Sequence, residues 1–385
     1  GRSVSLSPDG SRVAVGAHAN DGGGSNAGHV RVFEYISSAW VQLGSDINGE
    51  AASDYFGISL SLSFYGNRIA IGSNGHDSSI VGSNAGAVRV FELNSSTWVQ
   101  LGATIEGESS GDESGRRVSL SPDGSRVAIE AQYNDGGGAN SGHVRVFELV
   151  SSAWVQLGAD INGEAADDYT RGVSLSYDGS RVAIGAYGND GSGSNAGHVR
   201  LFEFISSAWV QLGADIDGEA VDDESGLVVS LSHDGNRVAI GAHGNDAGGS
   251  RAGHVRIFDY DWLSSSWVQM GTDIDGDAVN GYSGRAVSLS GDGSRVAIGA
   301  YGVAFVAGQV RVWQLAYQHT GEPSVQPSFG LREWYQVGGS IDGEAVGDES
   351  GWAVSLSADG SRVAVGAYLK DGGGADAGHV RVFEY

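Results

Sequence analysis

The sequence contains no cysteine, and Lys370 is the single lysine among its 22 basic residues. Without cysteine, the chain has no disulfide framework, no thiolate metal site and no cysteine nucleophile. No apolar run approaches the roughly 20 residues that a membrane-spanning helix needs, and Gly1 leads directly into strand-like sequence without a signal peptide. Because nearly all the cations are arginines, we expect most of them to occupy fixed, hydrogen-bonded structural positions.

The charge balance is strongly acidic. The 385 residues include 47 acidic and 22 basic side chains, which gives a formal net charge of −25 at pH 7. This balance disfavours nucleic acids and anionic membranes as partners and favours cations. Hydrophobic residues make up 40% of the chain, which is enough for a substantial core, so the acidity does not indicate disorder.

The whole chain is one set of internal repeats. Aligned on the VSLS motif, seven units start near residues 1, 57, 115, 170, 226, 284 and 351. Self-similarity at a nearly fixed period indicates a repeat architecture, and residues 1–385 are predicted to form a single domain. The anchor residues, with spacings of 56, 58, 55, 56, 58 and 67, are Val4, Leu60, Val118, Val173, Val229, Val287 and Val354.

Each unit contains four short segments that alternate in polarity with period two, as β-strands do. In the first unit they read SVSLS, RVAVGA, HVRVFEY and AWVQLG. Side chains become larger along them, from Ser3 and Ala14 to Phe33 and Trp40. Propeller blades converge on an axis, so they need small residues inside and large ones outside. The sequence predicts an all-β fold, a seven-bladed β-propeller of four-stranded antiparallel blades.

The fourth segment is missing from the last unit. Its tryptophan occurs six times, at Trp40, Trp98, Trp154, Trp209, Trp267 and Trp334. Because the chain stops at Tyr385, after a third strand, the last blade is predicted to lack its fourth strand within this chain. Either that blade is three-stranded, or a strand ahead of Gly1 in a longer polypeptide closes the ring. We favour the second, because propellers commonly protect exposed strand edges.

Three motifs follow one another in the units: a glycine before a serine-rich strand, as in YFGISLSLS (55–63), then VAIGA, then AGHVRVFE or GAVRVFE after an acidic, glycine-rich loop. This order resembles the FG-GAP repeats of integrin-α-type propellers. The resemblance covers every unit and implies a seven-bladed propeller outside the cell, used in adhesion or ligand recognition, often with calcium between the first two strands. SPDGSRVAV is also similar to a hairpin of WD40 and TolB-type propellers, which implies the same fold.

The hairpin that holds calcium in the FG-GAP family has few acids in this chain. Calcium takes six to eight oxygen ligands. SFYGNR, in the second unit, has no acid, and every other hairpin has a single aspartate, so calcium is not expected there. These aspartates are Asp9, Asp123, Asp178, Asp234, Asp292 and Asp359.

Acidic residues gather instead in the connections between units. We predict a candidate Ca²⁺ site in these connections, since carboxylate oxygens are the ligands that calcium prefers. The alternative is a solvated turn between blades. A further ring of loop aspartates is predicted on the same face. The candidate ligands are Asp215, Asp217, Glu219, Asp222, Asp223, Asp160, Glu164, Asp167, Asp273, Asp275 and Asp277, and the ring comprises Asp21, Asp77, Asp135, Asp190, Asp246 and Asp371.

Histidine and arginine recur at fixed positions. Repetition argues against a catalytic or metal-binding role, because a catalytic site needs one asymmetric arrangement, so the histidines are predicted to form hydrogen bonds at strand starts. The arginines are predicted to pair with acids of neighbouring strands or blades. The histidines are His29, His143, His198, His254 and His379, and the arginines are residues 12, 68, 126, 181, 237, 295 and 362 together with 31, 89, 145, 200, 256, 311 and 381.

The sixth unit departs most from the others. It replaces the acidic loop with YGVAFVAG and inserts residues 317–336, which include Phe329 and Trp334, before its fourth strand. An apolar loop and an aromatic insertion are typical of a partner surface, so Val303, Phe305 and Val306 are predicted to join Phe329 and Trp334 in contacting a partner. The alternative is an insertion that covers its own blade edge.

Two single residues complete the set of candidates. Asn94, in NSST, is an N-glycosylation acceptor if the protein is secreted. Glu130 stands where the other units have glycine, and nothing in the sequence explains it. Because no non-repeated acid or base stands out for the central funnel, we predict no enzymatic activity.

The favoured interpretation is a non-enzymatic extracellular or cell-surface recognition or structural module that contacts protein or glycan, assisted by cations. One alternative is a calcium-dependent propeller that binds or cleaves glycans, using the acids of the loop-rich face. Another is an intracellular scaffold of WD40 type, although no Trp-Asp blade ending supports it. The extracellular location follows from the family resemblance alone, as does the place of the chain within a larger polypeptide or assembly.

Overall fold

The computed structural model describes residues 1–302, 307–317, 332–371 and 377–385. Their strands form seven antiparallel sheets, which confirms the predicted seven-bladed propeller. These ranges contain no helix, and therefore none long and apolar enough to cross a bilayer. The seventh blade has three strands, as predicted.

Six blades share one plan, in which four strands follow one another from the axis outward and a two-residue strand pairs with the third. Blade 1 comprises β1 (Ser3–Leu6), β2 (Arg12–Ala17), β3 (His29–Ile36), β4 (Ala39–Gln42) and β5 (Ile47–Asn48). Blade 2 comprises β6 (Ser59–Leu62), β7 (Arg68–Ser73), β8 (Ala87–Asn94), β9 (Thr97–Gln100) and β10 (Ile105–Glu106). Blade 3 comprises β11 (Val118–Leu120), β12 (Arg126–Ala131), β13 (His143–Val150), β14 (Ala153–Gln156) and β15 (Ile161–Asn162).

Blade 4 comprises β16 (Thr170–Leu175), β17 (Arg181–Ala186), β18 (His198–Ile205), β19 (Ala208–Gln211) and β20 (Ile216–Asp217). Blade 5 comprises β21 (Val228–Leu231), β22 (Arg237–Ala242), β23 (His254–Asp261), β24 (Ser266–Gln269) and β25 (Ile274–Asp275). Blade 6 comprises β26 (Ala286–Leu289), β27 (Arg295–Ala300), β28 (Gln309–Tyr317), β29 (Arg332–Gln336) and β30 (Ile341–Asp342). Blade 7 comprises β31 (Ser350–Leu356), β32 (Arg362–Ala367) and β33 (His379–Glu384).

The hydrophobic core lies between blades. Val30 and Val32 of blade 1, for example, pack with Ile69 and Phe91 of blade 2, and Trp98 covers the outer side of that cluster. Such burial of apolar surface is the main favourable term in folding. The same arrangement recurs around the ring, so each blade is stabilised by its two neighbours.

The repeated arginines pair with acids, as predicted, except Arg295, which donates to Gln314 and has no acidic partner among the described residues. Arg68 pairs with Glu92 in its own blade at 2.8 Å and also donates Nη1 to the carbonyl of Gly124 in the next blade at 3.0 Å. In the same way Arg362 donates to the carbonyl of Gly10 at 2.8 Å and joins the seventh blade to the first. Other pairs are Arg12–Glu34, Arg126–Glu148, Arg181–Glu203, Arg237–Asp259, Arg89–Glu50, Arg145–Glu108, Arg200–Glu164 and Arg256–Glu219.

Neighbouring blades approach most closely at a glycine on the second strand. A Cβ added there would overlap the carbonyl oxygen of a positive-φ glycine that precedes the next blade's first strand, as Gly185 and Gly226 illustrate. Such contact leaves no room for a side chain. The other pairs are Gly16 with Gly57, Gly72 with Gly115, Gly241 with Gly284, and Gly299 with Gly351.

Blade 3 carries Glu130 at this position, and the structure explains how it fits. The connection into blade 4 is one residue shorter than the others, and the residue it lacks is the positive-φ glycine between Thr170 and Arg171. The pairing of β16 with β17 is correspondingly irregular between Thr170 and Gly172. Since the carbonyl that would overlap Glu130 is missing, the side chain is accommodated between blades.

We predict that Gly185→Ala destabilises the propeller. The new methyl group would overlap the backbone of Gly226, which cannot move without displacing blade 5, and overpacking of this kind costs roughly 1–3 kcal/mol of unfolding free energy. Gly339→Ala is the matched control, because an added Cβ there has no atom within 4 Å. Guanidinium unfolding should separate the two variants, and equal midpoints would contradict the prediction.

Candidate functional site

First strands begin, second strands end and third strands begin at one face of the propeller, which we name the crossing face because the connections between blades lie there. On this face, starting residues of the innermost strands line a cavity of about 200 Å³ that involves six blades. Arg2, Arg117 and Arg285 line it together with Trp352. We name Arg2, Arg117, Arg285 and the adjacent Arg171 the arginine cluster.

The guanidinium groups of the arginine cluster lie close to one another; Arg285 is buried, and the other three arginines are partly buried. Burial, followed by the charges of Arg171 and Arg2, lowers the pKa of Arg285 to about 9. Burial and the charge of Arg171 lower the pKa of Arg2 to about 10, and the pKa of Arg117 falls well below its ordinary value for the same reasons. Uncompensated positive charge is costly away from water. A bound anion would offset that cost.

Aromatic rings orient these cations. The Cζ atoms of Arg2 and Arg285 lie 4.5 and 4.3 Å from the ring centre of Trp352. Tyr301 packs against Trp352 at 5.0 Å, and Tyr282 stacks on Tyr301 at 5.1 Å. Cation–π contacts keep guanidinium planes fixed while leaving their N–H groups free to donate elsewhere. Among the described residues, none of the four guanidinium groups makes an ion pair within 4.0 Å.

Glu130 is the buried acid beside this cluster. Its side chain is fully buried, and neither carboxyl oxygen has a hydrogen-bond partner among the described residues. Burial raises its pKa to about 8, although the charges of Arg116, Arg171 and Arg117 act in the opposite direction. The carboxyl group is therefore mainly protonated at neutral pH and leaves the positive charge of the cluster available to a ligand.

A histidine–carboxylate pair lies on the same face. Nε2 of His243 is 3.4 Å from Oε2 of Glu224, while its buried Nδ1 has no partner among the described residues. Burial, followed by the charges of Arg285 and Arg171, lowers the pKa of His243 to about 3, so the imidazole is neutral. With this pKa, and with Nε2 turned toward Glu224 and Nδ1 buried, the imidazole is a weak base at neutral pH. An anion on the arginines would raise its pKa.

Three clusters of possible metal ligands lie farther from the axis, each built from a histidine at a strand start and carboxylates from two different connections. In each cluster one ring nitrogen of the histidine and one oxygen of each carboxylate lie within 4.8 Å of one another. The clusters are Glu108–His143–Asp160, Glu164–His198–Asp215 and Glu219–His254–Asp273, and we name them the histidine clusters. No hydrogen bond reaches either ring nitrogen of His143 or His254 in the described structure. For these two residues the prediction of hydrogen bonding is therefore wrong.

The predicted calcium ligands of one connection do not converge. Asp215 belongs with His198, whereas Glu219 belongs with His254. Asp223 accepts hydrogen bonds from the Ala220 amide and Asn245 and is part of the turn. Three of the remaining candidates lie in histidine clusters, namely Asp160, Glu164 and Asp273. Three others accept side-chain hydrogen bonds: Asp167 from Asn140, Asp222 from Asn195, and Asp277 from Gln309. The last two, Asp217 on β20 and Asp275 on β25, are exposed. Calcium stays a prediction.

The predicted partner-contact residues fall mostly outside the described part of the chain. This holds for Val303, Phe305, Val306 and Phe329. Trp334 is buried and donates Nε1 to the carbonyl of Met270 at 2.9 Å, so it packs against the preceding blade. Asn94 is exposed at the end of β8, and its glycosylation stays a prediction.

Sequence reasoning missed the arginine cluster, although a signal existed. Aligned positions at the entry to the first strand vary between units, where Arg2, Arg171 and Arg285 alternate with Ile58 and Leu227. When one aligned position varies among units that are otherwise copies, the blades that differ there can have a role that the other blades lack. The shortened connection at Thr170 was a second signal, because it coincides with Glu130.

Comparisons with known proteins establish the fold and no family. The sequence matches no family model, and no curated protein matches it. Its structure is similar to a Bacteroides uniformis protein assigned as a 6-phosphogluconolactonase, at 14% identity and a TM-score of 0.62, covering 97% of this chain and 92% of that one. It is also similar to a Pseudomonas aeruginosa periplasmic gluconolactonase, at 14% identity and a TM-score of 0.61 with the same 97% and 92% coverage.

A third similar structure is the β-propeller domain of Swd1 from Myceliophteria thermophila, at 13% identity and a TM-score of 0.58, covering 100% of this chain and 96% of that one. The seven-bladed propeller is thus shared with proteins of unlike names, as expected of a fold that carries many functions. At such identities the similarity establishes the fold alone.

The prediction that this chain is not an enzyme is wrong. It rested on the apparent lack of a non-repeated acid or base in the central funnel. The structure places the arginine cluster, Glu130 and His243 at the crossing face; Glu130 occurs in one unit only, and the arginines and His243 recur in some units and not in others. Two proteins that share the fold carry lactonase names. Neither the fold nor the site therefore gives grounds to exclude catalysis.

Proposed function

We propose that this chain binds a small anionic sugar derivative at the arginine cluster and hydrolyses its lactone form. The observation that carries the proposal is a group of four buried or partly buried guanidinium groups that make no ion pair among the described residues, three of which line one cavity of a protein whose net charge is −25. Guanidinium groups recognise carboxylate and phosphate through paired hydrogen bonds. The lactonase names of two structural neighbours support the choice of substrate.

The residues suit a hydrolysis without a covalent intermediate. In that reaction the oxygen of water bonds to the acyl carbon, the ring C–O bond breaks, and the proton released by water ends on the departing alkoxide. The guanidinium groups of Arg285 and Arg117 would stabilise the oxyanion that forms at the carbonyl. The proton would pass from the attacking water to the alkoxide through solvent, because Nε2 of His243 faces Glu224 and its Nδ1 is buried.

The test measures binding and turnover separately. We expect gluconate and 6-phosphogluconate to release heat on titration, and the corresponding lactones to disappear faster than in buffer. Arg285→Gln should weaken binding at least about tenfold, because a charged hydrogen bond between buried partners is lost. Arg31→Gln is the control, because Arg31 pairs with Asp46 on the outer surface and should leave both properties unchanged.

The outcomes are distinct. Binding without turnover would support the anion site and contradict the proposed lactonase activity. The absence of both binding and turnover with all four compounds would overturn the proposal, and so would an equal effect of Arg285→Gln and Arg31→Gln.

A further inference from the structure

The histidine clusters have a geometry that hydrogen bonding does not explain. Nδ1 of His198 lies 3.9 Å from Oε2 of Glu164 and 3.8 Å from Oδ2 of Asp215. In the next blade, Nδ1 of His254 lies 3.9 Å from Oε2 of Glu219 and 4.0 Å from Oδ2 of Asp273. These distances exceed the roughly 3.2 Å limit of a good N–H···O hydrogen bond. The imidazole is nevertheless fully buried and faces two carboxylates.

The separation fits an ion between the three side chains. Zinc–nitrogen and zinc–oxygen bonds of about 2.0–2.2 Å place the two ligand atoms roughly 3–4 Å apart, depending on the angle at the metal. The distances of 3.8–4.0 Å at His198 and His254, and of 3.8 Å from Nδ1 of His143 to Oε2 of Glu108, lie at the upper end of that range. The buried nitrogen and the carboxylate oxygens thus surround a space of the size that a metal ion occupies.

Neighbouring side chains hold the other oxygen of each carboxylate. Gln211 donates to Oδ1 of Asp215 at 2.6 Å, which leaves Oδ2 toward His198. Arg200 donates to Oε1 of Glu164 at 3.3 Å, which leaves Oε2 toward the same histidine. Gln156 and Gln269 hold Asp160 and Asp273 in the same way, at 2.7 and 2.6 Å. Support of this kind typically orients metal ligands.

In blades 1 to 6, whose sequences include both positions, the histidine and the aspartate occur together or are missing together. Blade 2 has Ala87 in place of the histidine and Thr104 in place of the aspartate, and blade 6 has Gln309 and Ser340. Blade 1 keeps both, as His29 and Asp46, but no glutamate completes a cluster with them among the described residues. A histidine that served only to fill space would not need the aspartate. Their joint occurrence indicates a joint role.

We propose that each histidine cluster binds one divalent first-row transition metal ion, such as Zn²⁺, through the imidazole Nδ1 and one oxygen from each carboxylate. Imidazole nitrogen favours such ions over Ca²⁺ and Mg²⁺, which prefer all-oxygen sites. Each ion links neighbouring blades, since Glu164, for example, follows β15 of blade 3 while His198 opens β18 of blade 4. The three sites would tie blades 2 to 5 together.

The test is equilibrium dialysis of the protein against ZnCl₂, with Co²⁺ absorption as a second measurement. We expect three ions per chain, visible Co²⁺ bands that report nitrogen and oxygen ligands, and a melting temperature that rises with zinc and falls back with EDTA. Millimolar CaCl₂ should not displace the zinc. His198→Ala should reduce the stoichiometry to two, and Ala87 shows that this position tolerates alanine.

Two control variants make the result specific. His29→Ala and Asp217→Asn should each retain three ions, because neither residue belongs to a complete cluster. Gln211→Ala, which removes only a positioning residue, should weaken the site of Asp215 about 10–100-fold. The proposal is overturned if no zinc binds to the folded wild-type chain, if calcium competes equally, or if His198→Ala leaves three ions. None of these outcomes affects the proposed lactone site, which contains no member of a histidine cluster.

Discussion

Inserting one glycine between Thr170 and Arg171 is expected to lower the free energy of unfolding by roughly 3 kcal/mol. The inserted residue restores the length of the other connections and brings a carbonyl oxygen into the position that Gly226 and Gly284 occupy elsewhere. In those interfaces the facing residue is glycine, but here it is Glu130. The carboxylic side chain is buried between two blades and has no room to retreat.

The same insertion in a Glu130→Gly background should be nearly neutral, because it recreates the interface found between the other blades. Urea unfolding of the four proteins in this double-mutant cycle gives the coupling between the two changes. We expect a coupling as large as the effect of the insertion itself. Additive effects would show that the short connection and Glu130 are unrelated.

Raising the pH from 5 to 8 is expected to destabilise the wild-type chain relative to Glu130→Gln. Burial raises the pKa of Glu130 from 4.5 to about 8, so in this interval the folded state holds a proton that the unfolded state has released. The unfolded state binds fewer protons, so stability falls with rising pH, by up to about 1.4 kcal/mol per pH unit for one group. The loss is complete above the folded-state pKa.

Guanidinium unfolding of both proteins at pH 5, 6, 7 and 8 measures this difference. Taking the difference cancels the other titrating groups, which both proteins share. Glutamine keeps the size of the side chain and cannot ionise, so the variant should become the more stable protein toward pH 8. If the free energies of unfolding of the two proteins changed in parallel with pH, Glu130 would be ionised in the folded state and paired with the arginines. That result would contradict the neutral form of Glu130.

The two carboxyl environments of the crossing face serve different chemistry. Near the axis, Glu130 is neutral and surrounded by guanidinium groups, so the site favours an anion. Farther out, the histidine clusters hold carboxylates around a neutral imidazole, so they favour a cation. The net negative charge of the chain comes from acids farther from the axis, so it gives no sign of the positive charge near the axis. A class of partner inferred from net charge alone is therefore incomplete when opposite charges are segregated by radius.

The repeats determined the architecture without help from tertiary structure. Blade number, strand order, the missing fourth strand and the pairing of Arg68 with Glu92 follow from copies that share one strand period and, in every unit but the sixth, an arginine opposite an acid. In a repeat protein each blade contacts only the blades beside it, so a pattern repeated at fixed spacing also determines which blades are in contact. The sequence reasoning failed on catalysis for a related reason. No single acid or base stood out for the central funnel, and Glu130 had no explanation in the sequence alone.

Only the tertiary structure decided where the units that differ come together. Arg2 and Arg285 are 283 residues apart in the chain, yet ring closure places both over the same Trp352. The acids of one connection are divided between two histidine clusters, because Asp215 faces the preceding blade interface and Glu219 the following one. Burial and proximity set the charge state of Glu130 and the ligand preference of each site, and neither quantity is encoded in a local stretch of sequence.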